Sequence, residues 1–337
     1  MARLTLVAPA LDGPATGGTL YNRQLVAALR ACGTQIDCCA LADLSEPTSE
    51  QIWVDSLYLA ELRGLRAHLP QSLPVGLLLH YLPSLLTQPA LQRPEQLSAA
   101  ERDALRHAGH VIVPSAWLEG LLTALAPDTP CSRALPGLSV TQLGGGAQRD
   151  GSALMICNVT ANKGVLPLLE ALAAAARGRA GFALQIAGRL DLEPDYAVAC
   201  QRLCAGDPWL RAHVTFLGGL TQSQLFERMA RSSVCVSASR VESYGMALAE
   251  ARAHGTPLLA CAGGNVAHHV AADSGGELLP DPPALARALL DLMQDGSELA
   301  RRAERARSWA LAQPARSWRD TAQDFLRASA RLAQRTR

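Results

Sequence analysis

Short apolar runs alternate with amphipathic segments from one end of the chain to the other, and that alternation sets the expected fold. "RLTLVA", "QIDCCAL", "QIWVD", "VGLLLH" and "HVIVPS" are rich in β-branched and aliphatic residues and carry little charge, as strands buried on both faces of a parallel sheet do. Between them lie helix-length segments such as "TLYNRQLVAALRAC" and "SAAERDALRHA". Ser98 to Glu101 forms a capping box at the start of one such helix, and Ser115 is placed to cap "AWLEGLLTAL". Near residues 144–152 the chain turns polar and glycine-rich, "GGGAQRDGS", the composition of an exposed linker. The alternation then restarts with "ALMICNV", "FALQIAG", "HVTFLG", "SVCVSAS", "TPLLAC" and "GELLP", with "TQSQ" (Thr221 to Gln224) as a second capping box.

Two tandem doubly wound α/β domains are therefore expected, over residues 1–147 and 148–312. From about Glu298 to Arg337 the chain is expected as an arginine-rich helical tail, solvated or bridging the domains. Ligands of such sheets bind at the carboxyl ends of the strands, so the site is expected in a cleft where the two sets of ends face each other. A length of 337 residues suits two cores, and 49% hydrophobic against 18% charged residues suits a chain that is globular throughout.

A net charge of +1 gives no electrostatic footprint for nucleic acid, which is excluded as a partner. The apolar run of "MARLTLVAPALDG" is broken by proline within a few residues, as a buried strand is and a signal-peptide core is not. No stretch reaches the ~18 apolar residues of a spanning helix, so a cytoplasmic protein is expected, with peripheral membrane contact left open. Nine cysteines without a Cys-x-x-Cys pair read as buried, reduced thiols, and no metal site is expected.

Candidate chemistry begins at "NVTANKG". Lys163 is the single lysine beside thirty arginines, in a strand-to-helix loop where helix N–H groups and dipole attract anions. A compact ammonium suits a phosphate, although a lone loop lysine is more often merely solvated. In "SRVESYGMALAEARAHGTPLLACAGG", Glu242 stands in the loop after a strand and Glu250 on the following helix. Gly245 lets the backbone come close to a ligand, with the N–H groups of Met246 and Ala247 as a second anion cradle. Asp191-Leu-Glu193, the one Asp-x-acid candidate for a metal-dependent transferase, reads as a polar turn. The spacing of "APALDGPATGG" is not that of a dinucleotide-binding loop.

"ESYGMALAE" followed by "GTPLLACAGGNV", together with "GGTLYNRQLVAALRACG" and "NVTANKGVLPLLEAL", resembles the family 4 retaining glycosyltransferases of GT-B architecture over nearly the whole chain. The resemblance implies a metal-independent, cofactor-free enzyme. It would move a sugar from a UDP- or GDP-type nucleotide-diphosphate donor to a small-molecule or glycan acceptor. Glu250 would hold the donor ribose and Glu242 the transferred sugar. Lys163 and Gly245 to Ala247 would hold the diphosphate, with Gly17 and Gly18 approaching it from the first domain, His80 would face the reacting sugar, and the last helix, 313–337, would cross back to the first domain. By residue type alone, His80 equally suits a hydrogen-bonded structural role.

The chain departs from that family at Asn158 and Asn162, where relatives carry basic residues, leaving Arg189 or Arg240 to supply the charge. It departs again at His268, where relatives carry glutamate. Tyr21, Trp53, Tyr58 and Tyr81 fall near loops and suit stacking against an acceptor, with ordinary packing as the alternative. The alternatives are an epimerase or phosphorylase of the same architecture, separable by product analysis, and a sugar-nucleotide-binding protein without turnover.

Overall fold

The computed structural model describes residues 3–13, 16–44, 49–139, 149–313 and 316–335. Two compact units result: residues up to Leu138 join those from Arg316 onward, and Ser139–Ala315 form the other.

The first unit is built on β1 (Leu4–Val7), β2 (Ile36–Cys39), β3 (Gln51–Asp55), β4 (Val75–Leu78), β5 (Val111–Val113) and β6 (Cys131–Arg133). All are parallel, in the order β2-β1-β3-β4-β5-β6. The crossovers carry helices α1 (Gly17–Ala31), α2 (Leu62–His68), α3 (Ser84–Thr87), α4 (Ala99–His107) and α5 (Ala116–Leu125). β1, β3 and β4 are fully buried along their lengths, as their continuous apolar runs require. β6 escapes the strand pattern because "CSR" is short and half polar, which an edge position tolerates.

The second unit contains β7 (Ala153–Ile156), β8 (Leu184–Ala187), β9 (Val214–Gly218), β10 (Val234–Ser237), β11 (Leu258–Cys261) and β12 (Glu277–Leu279), parallel in the order β12-β11-β10-β7-β8-β9. Its helices are α6 (Val165–Ala175), α7 (Pro194–Gly206), α8 (Pro208–His213), α9 (Gln222–Arg231), α10 (Met246–Ala253), α11 (Pro282–Gln294) and α12 (Gly296–Ala312). Leu168, Leu169 and Leu172 of α6 and Leu285, Leu289 and Leu290 of α11 share one core with the inner faces of β7, β8 and β10. At roughly 25 cal/mol per Å² of apolar surface, each such fully buried leucine contributes on the order of 2 kcal/mol.

The chain ends in α13 (Trp318–Arg335), which packs against α1 of the first unit. Gln51 at the start of β3 holds it, donating to the carbonyl of Ser329 at 3.0 Å and accepting from its hydroxyl at 2.5 Å.

Local signals act as the residue types dictate. Ser98, Ser115 and Thr221 cap α4, α5 and α9, with full capping boxes at the first and third. The expected domain boundary at 147/148 lies outside the described residues. The described end of that segment is no exposed linker, because Arg149 donates to the carbonyls of Ser232 and Gly255, both at 2.7 Å, and Ser152 is buried. All nine cysteines are free thiols, but only Cys200, Cys204, Cys235 and Cys261 are fully buried.

Two aromatics expected to meet an acceptor are core residues instead. Trp53 is fully buried on β3, 4.9 Å from the ring of Phe325 in α13. Tyr21 is buried on α1, its hydroxyl donating to the Ala134 carbonyl at 2.7 Å. Both belong to elements sandwiched inside the unit, so their rings supply packing area. Tyr58 and Tyr81 remain partly exposed.

Candidate active site

In the second unit the strand order reverses between β7 and β10, because β8 and β9 extend the sheet on one side and β11 and β12 on the other. Two parallel neighbours send their following loops out at the same edge, and this switch point is where open α/β sheets hold ligands. Those loops carry Lys163 and Glu242. Lys163 Nζ lies 2.6 Å from Glu242 Oε1, which also accepts from Ser239 Oγ at 2.7 Å. Both side chains are partly exposed, at 26% and 17%. Burial works against the Lys163 ammonium, but the Glu242 carboxylate outweighs it and raises the pKa above the ordinary lysine value. The ammonium therefore stays charged, with two donors left for an incoming anion.

Asn162 joins the two loops, its side-chain NH2 donating to the Val241 carbonyl at 3.1 Å and its backbone carbonyl accepting from Arg240 N at 2.8 Å. Asn158 accepts from the backbone N–H of Arg189 at 3.0 Å. The two asparagines that replace expected cations thus tie backbone together. Arg189 is gripped by Asp191 through Nε at 2.9 Å and Nη2 at 2.6 Å, leaving a buried Nη1 without a partner among the described residues. Arg240 is exposed and, among the described residues, has no ion-pair partner. Glu193 accepts from Ala161 N at 2.9 Å, so both acids of the Asp191 to Glu193 turn serve protein donors.

Helix α10 starts at Gly245 in a left-handed conformation, φ +91°, which an L side chain would strain, and no side chain caps it. The N–H groups of Met246 and Ala247 have no partner among the described residues, unlike the capped starts of α1, α4 and α9. They leave an open anion cradle. The loop leading to it is braced from behind. Asn265 N donates to the Glu242 carbonyl at 2.8 Å, and Asn265 Nδ2 and His269 Nε2 converge on the Tyr244 carbonyl at 2.9 and 2.5 Å. Burial, and secondarily Arg252, pushes the pKa of His269 down to about 3, so the ring is neutral and donates through Nε2. His269 was not legible as a site residue. Its neighbour His268 is exposed, and nothing in the structure explains its replacing a glutamate.

Glu250, one turn into α10, is half-buried, and its carboxylate has no hydrogen-bond partner among the described residues. Desolvation alone pushes its carboxyl up to about 7. A carboxylate left bare at this cost is an acceptor waiting for donors.

In the first unit, Gly17 and Gly18 open α1 beyond β1, and Thr16 caps that helix. Among the described residues the structure brings Gly18 to His80 and leaves Gly17 open: a Cβ on Gly18 would stand 3.1 Å from the imidazole, whereas one on Gly17 would meet nothing. His80, just past β4, has its Nε2 2.9 Å from Asn22 Oδ1 and 3.2 Å from Asp55 Oδ2. Its backbone N–H donates to Ser56 Oγ at 3.1 Å. Asp55 is buried at the end of β3. Burial pushes its carboxyl up, but His80, Leu57 N–H and Asn22 more than offset this and hold it below the usual range. Asn22 and Asp55 were missed from sequence, where Asn22 is one of three consecutive polar residues on α1 and Asp55 a lone acid at the end of β3.

Among the described residues no group of three or more His, Cys, Asp or Glu is arranged to hold a metal, and no helix is long and apolar enough to cross a membrane.

Residues 151–295 match the family of glycosyl transferases group 1, a span that includes Lys163, Glu242 and Glu250. No curated protein sequence matches the chain. Among solved structures, sucrose-phosphate synthase from Thermosynechococcus elongatus is similar at 18% identity and a TM-score of 0.77, over 98% of this chain and 99% of that one. HepE of Anabaena in complex with UDP and glucose is similar at 16% identity and a TM-score of 0.71, over 98% and 100%. A glycosyltransferase from Rickettsia africae has 15% identity and a TM-score of 0.64, over 98% of each chain. The two parallel six-stranded sheets with their helices are the α/β fold of GT-B glycosyltransferases.

Proposed function

We propose that the protein is a glycosyltransferase that takes a sugar from a nucleotide-diphosphate donor, of UDP or GDP type, and passes it to a hydroxyl-bearing acceptor with retention of configuration. The observation that carries this reading is the composition of the switch point in the second unit. A charged lysine, an uncapped helix start and a bare carboxylate lie on adjacent loops and one helix. They match the three parts of a nucleoside diphosphate: phosphate, phosphate and ribose diol.

In this reading Lys163 and the N–H groups of Met246 and Ala247 hold the diphosphate, and Glu250 accepts from the ribose hydroxyls. Glu242 contacts the sugar while keeping Lys163 in place. Charge grows on the diphosphate as the glycosidic C–O bond breaks, and fixed donors aimed at it lower the barrier without reorganisation. Such donors make a divalent ion dispensable, so the reading includes metal independence. Of the two arginines that could add charge, Arg240 is the uncommitted one, and Arg189 could contribute only its Nη1. In the same reading Gly17 and Gly18 serve the diphosphate and His80 the reacting sugar. The match of residues 151–295 to glycosyl transferases group 1 supports the same reading, as does UDP and glucose bound to the similar HepE fold. A thermal-shift screen of nucleotide sugars, followed by product analysis with the stabilising donor, tests it. A donor should raise the melting temperature by mass action. Stabilisation without transfer or hydrolysis would favour a binding protein.

A further inference from the structure

The imidazole of His80 is held from one side. Nε2 faces Asn22 Oδ1 and Asp55 Oδ2, while Nδ1 has no partner among the described residues and the side chain is 11% exposed. The protons in this cluster can be assigned by elimination. The ionised Asp55 carboxylate can only accept. Asn22 therefore turns its NH2 toward Asp55 Oδ2, at 2.5 Å, and its carbonyl oxygen toward His80. Both neighbours of Nε2 are acceptors, so Nε2 carries the proton, and in the neutral ring Nδ1 is a bare acceptor. The other Asp55 oxygen takes the Leu57 N–H at 2.7 Å, which fixes the carboxylate in the plane that produces this result. Asn22 and Asp55 are each 1% exposed, so water does not scramble the pattern.

We infer that Asp55, acting with Asn22, is a positioning residue that sets the His80 tautomer, so that Nδ1 accepts a hydrogen bond from a hydroxyl of the sugar at the reacting centre. This rests on the glycosyl-transfer reading for its chemical purpose, while the tautomer itself does not. Asp55→Asn should invert the pattern. The Leu57 N–H demands an oxygen at the Oδ1 position, so the new NH2 occupies the Oδ2 position and becomes a donor toward Nε2 and Asn22. The ring must then offer a lone pair at Nε2 and carry its proton on Nδ1, turning the open nitrogen from acceptor into donor.

Two measurements test this. Two-bond 1H–15N NMR of the full chain with labelled histidine, with His80 among eight assigned by comparison with His80→Gln, reads the tautomer directly. The parent should show the Nε2–H form and Asp55→Asn the Nδ1–H form. A parent in the Nδ1–H form, or an unchanged tautomer in folded Asp55→Asn, overturns the inference. With the donor found by the screen, Asp55→Asn should lower kcat about 10–100-fold with KM for the donor little changed. Asp55→Ala, which leaves the ring free to adopt either tautomer, should retain more activity than Asp55→Asn. A folded Asp55→Ala as inactive as Asp55→Asn would reduce Asp55 to a structural tie. If no nucleotide sugar is turned over, the spectra still decide the tautomer and the transfer reading fails separately.

Discussion

Lys163 Nζ and Glu242 Oε1, 79 positions apart in the chain, form one ion pair at 2.6 Å across the reversal of strand order in the second sheet. The pair explains why a compact ammonium stands where the chain otherwise writes arginine. Its charge is shared between a protein carboxylate and an open edge. A guanidinium would spend its planar fork on Glu242 and leave less for an anion.

Lys163→Ala should therefore weaken binding of the nucleoside diphosphate by roughly 1.5–3 kcal/mol, the range of a charge-assisted hydrogen bond, and slow transfer. Lys163→Arg should restore binding only in part. Isothermal titration of both variants checks this, and unchanged affinity in each would return Lys163 to the solvated surface.

Glu242→Ala should separate the two halves of the donor. Removing the carboxylate frees Lys163, so nucleoside diphosphate should bind as well as before or more tightly, while transfer collapses because the sugar contact is gone. Calorimetry with free diphosphate beside steady-state kinetics distinguishes this from simple loss of the loop, which would abolish both.

Glu250 gives a pH signature with a defined sign. Its carboxyl is raised from 4.5 to about 7 in the folded chain. Between those values the folded state binds more protons than the unfolded one, so this group's contribution to stability falls as pH rises through that window. Glu250→Gln should remove that slope and stabilise the ligand-free protein above pH 7 by on the order of 1–3 kcal/mol. The same variant should bind nucleoside diphosphate less well, and parent affinity should drop as pH falls below about 7. Thermal unfolding and titration at pH 5 and pH 8 read both effects.

Gly18→Ala places a methyl carbon 3.1 Å from His80 Cδ2, closer than most packed contacts. The ring should be pushed off Asn22 and Asp55, with transfer lost. Normal kcat in this variant would show that His80 has room to spare.

Much of this architecture was legible in the sequence because burial on both faces writes itself as continuous apolar runs. β1, β3, β4, β5, β10 and β11 are buried throughout and carry that mark, and the capping boxes at Ser98 and Thr221 depend on three-residue spacing alone. Edge strand β6 carries no such mark. Lys163, Glu242, Gly245 and Glu250 stood out as residue types in loops, but their partnership is tertiary. No local pattern reports that β7 and β10 are neighbours. Asp55 and Asn22 were invisible for the same reason, since a buried polar residue differs from a surface one only through what faces it. Tyr21 and Trp53 were misplaced because residue type and nearness to a loop do not say which face of an element a ring leaves by.

The central claim is best tested by calorimetric titration of UDP- and GDP-sugars into the parent and Lys163→Ala, with EDTA throughout and product analysis on the donor that binds. The account predicts saturable one-site binding of a nucleotide sugar to the parent, weakened in the variant, and metal-free transfer that keeps the anomeric configuration. Absence of binding by every nucleotide sugar, or transfer that only magnesium or manganese restores, would contradict it.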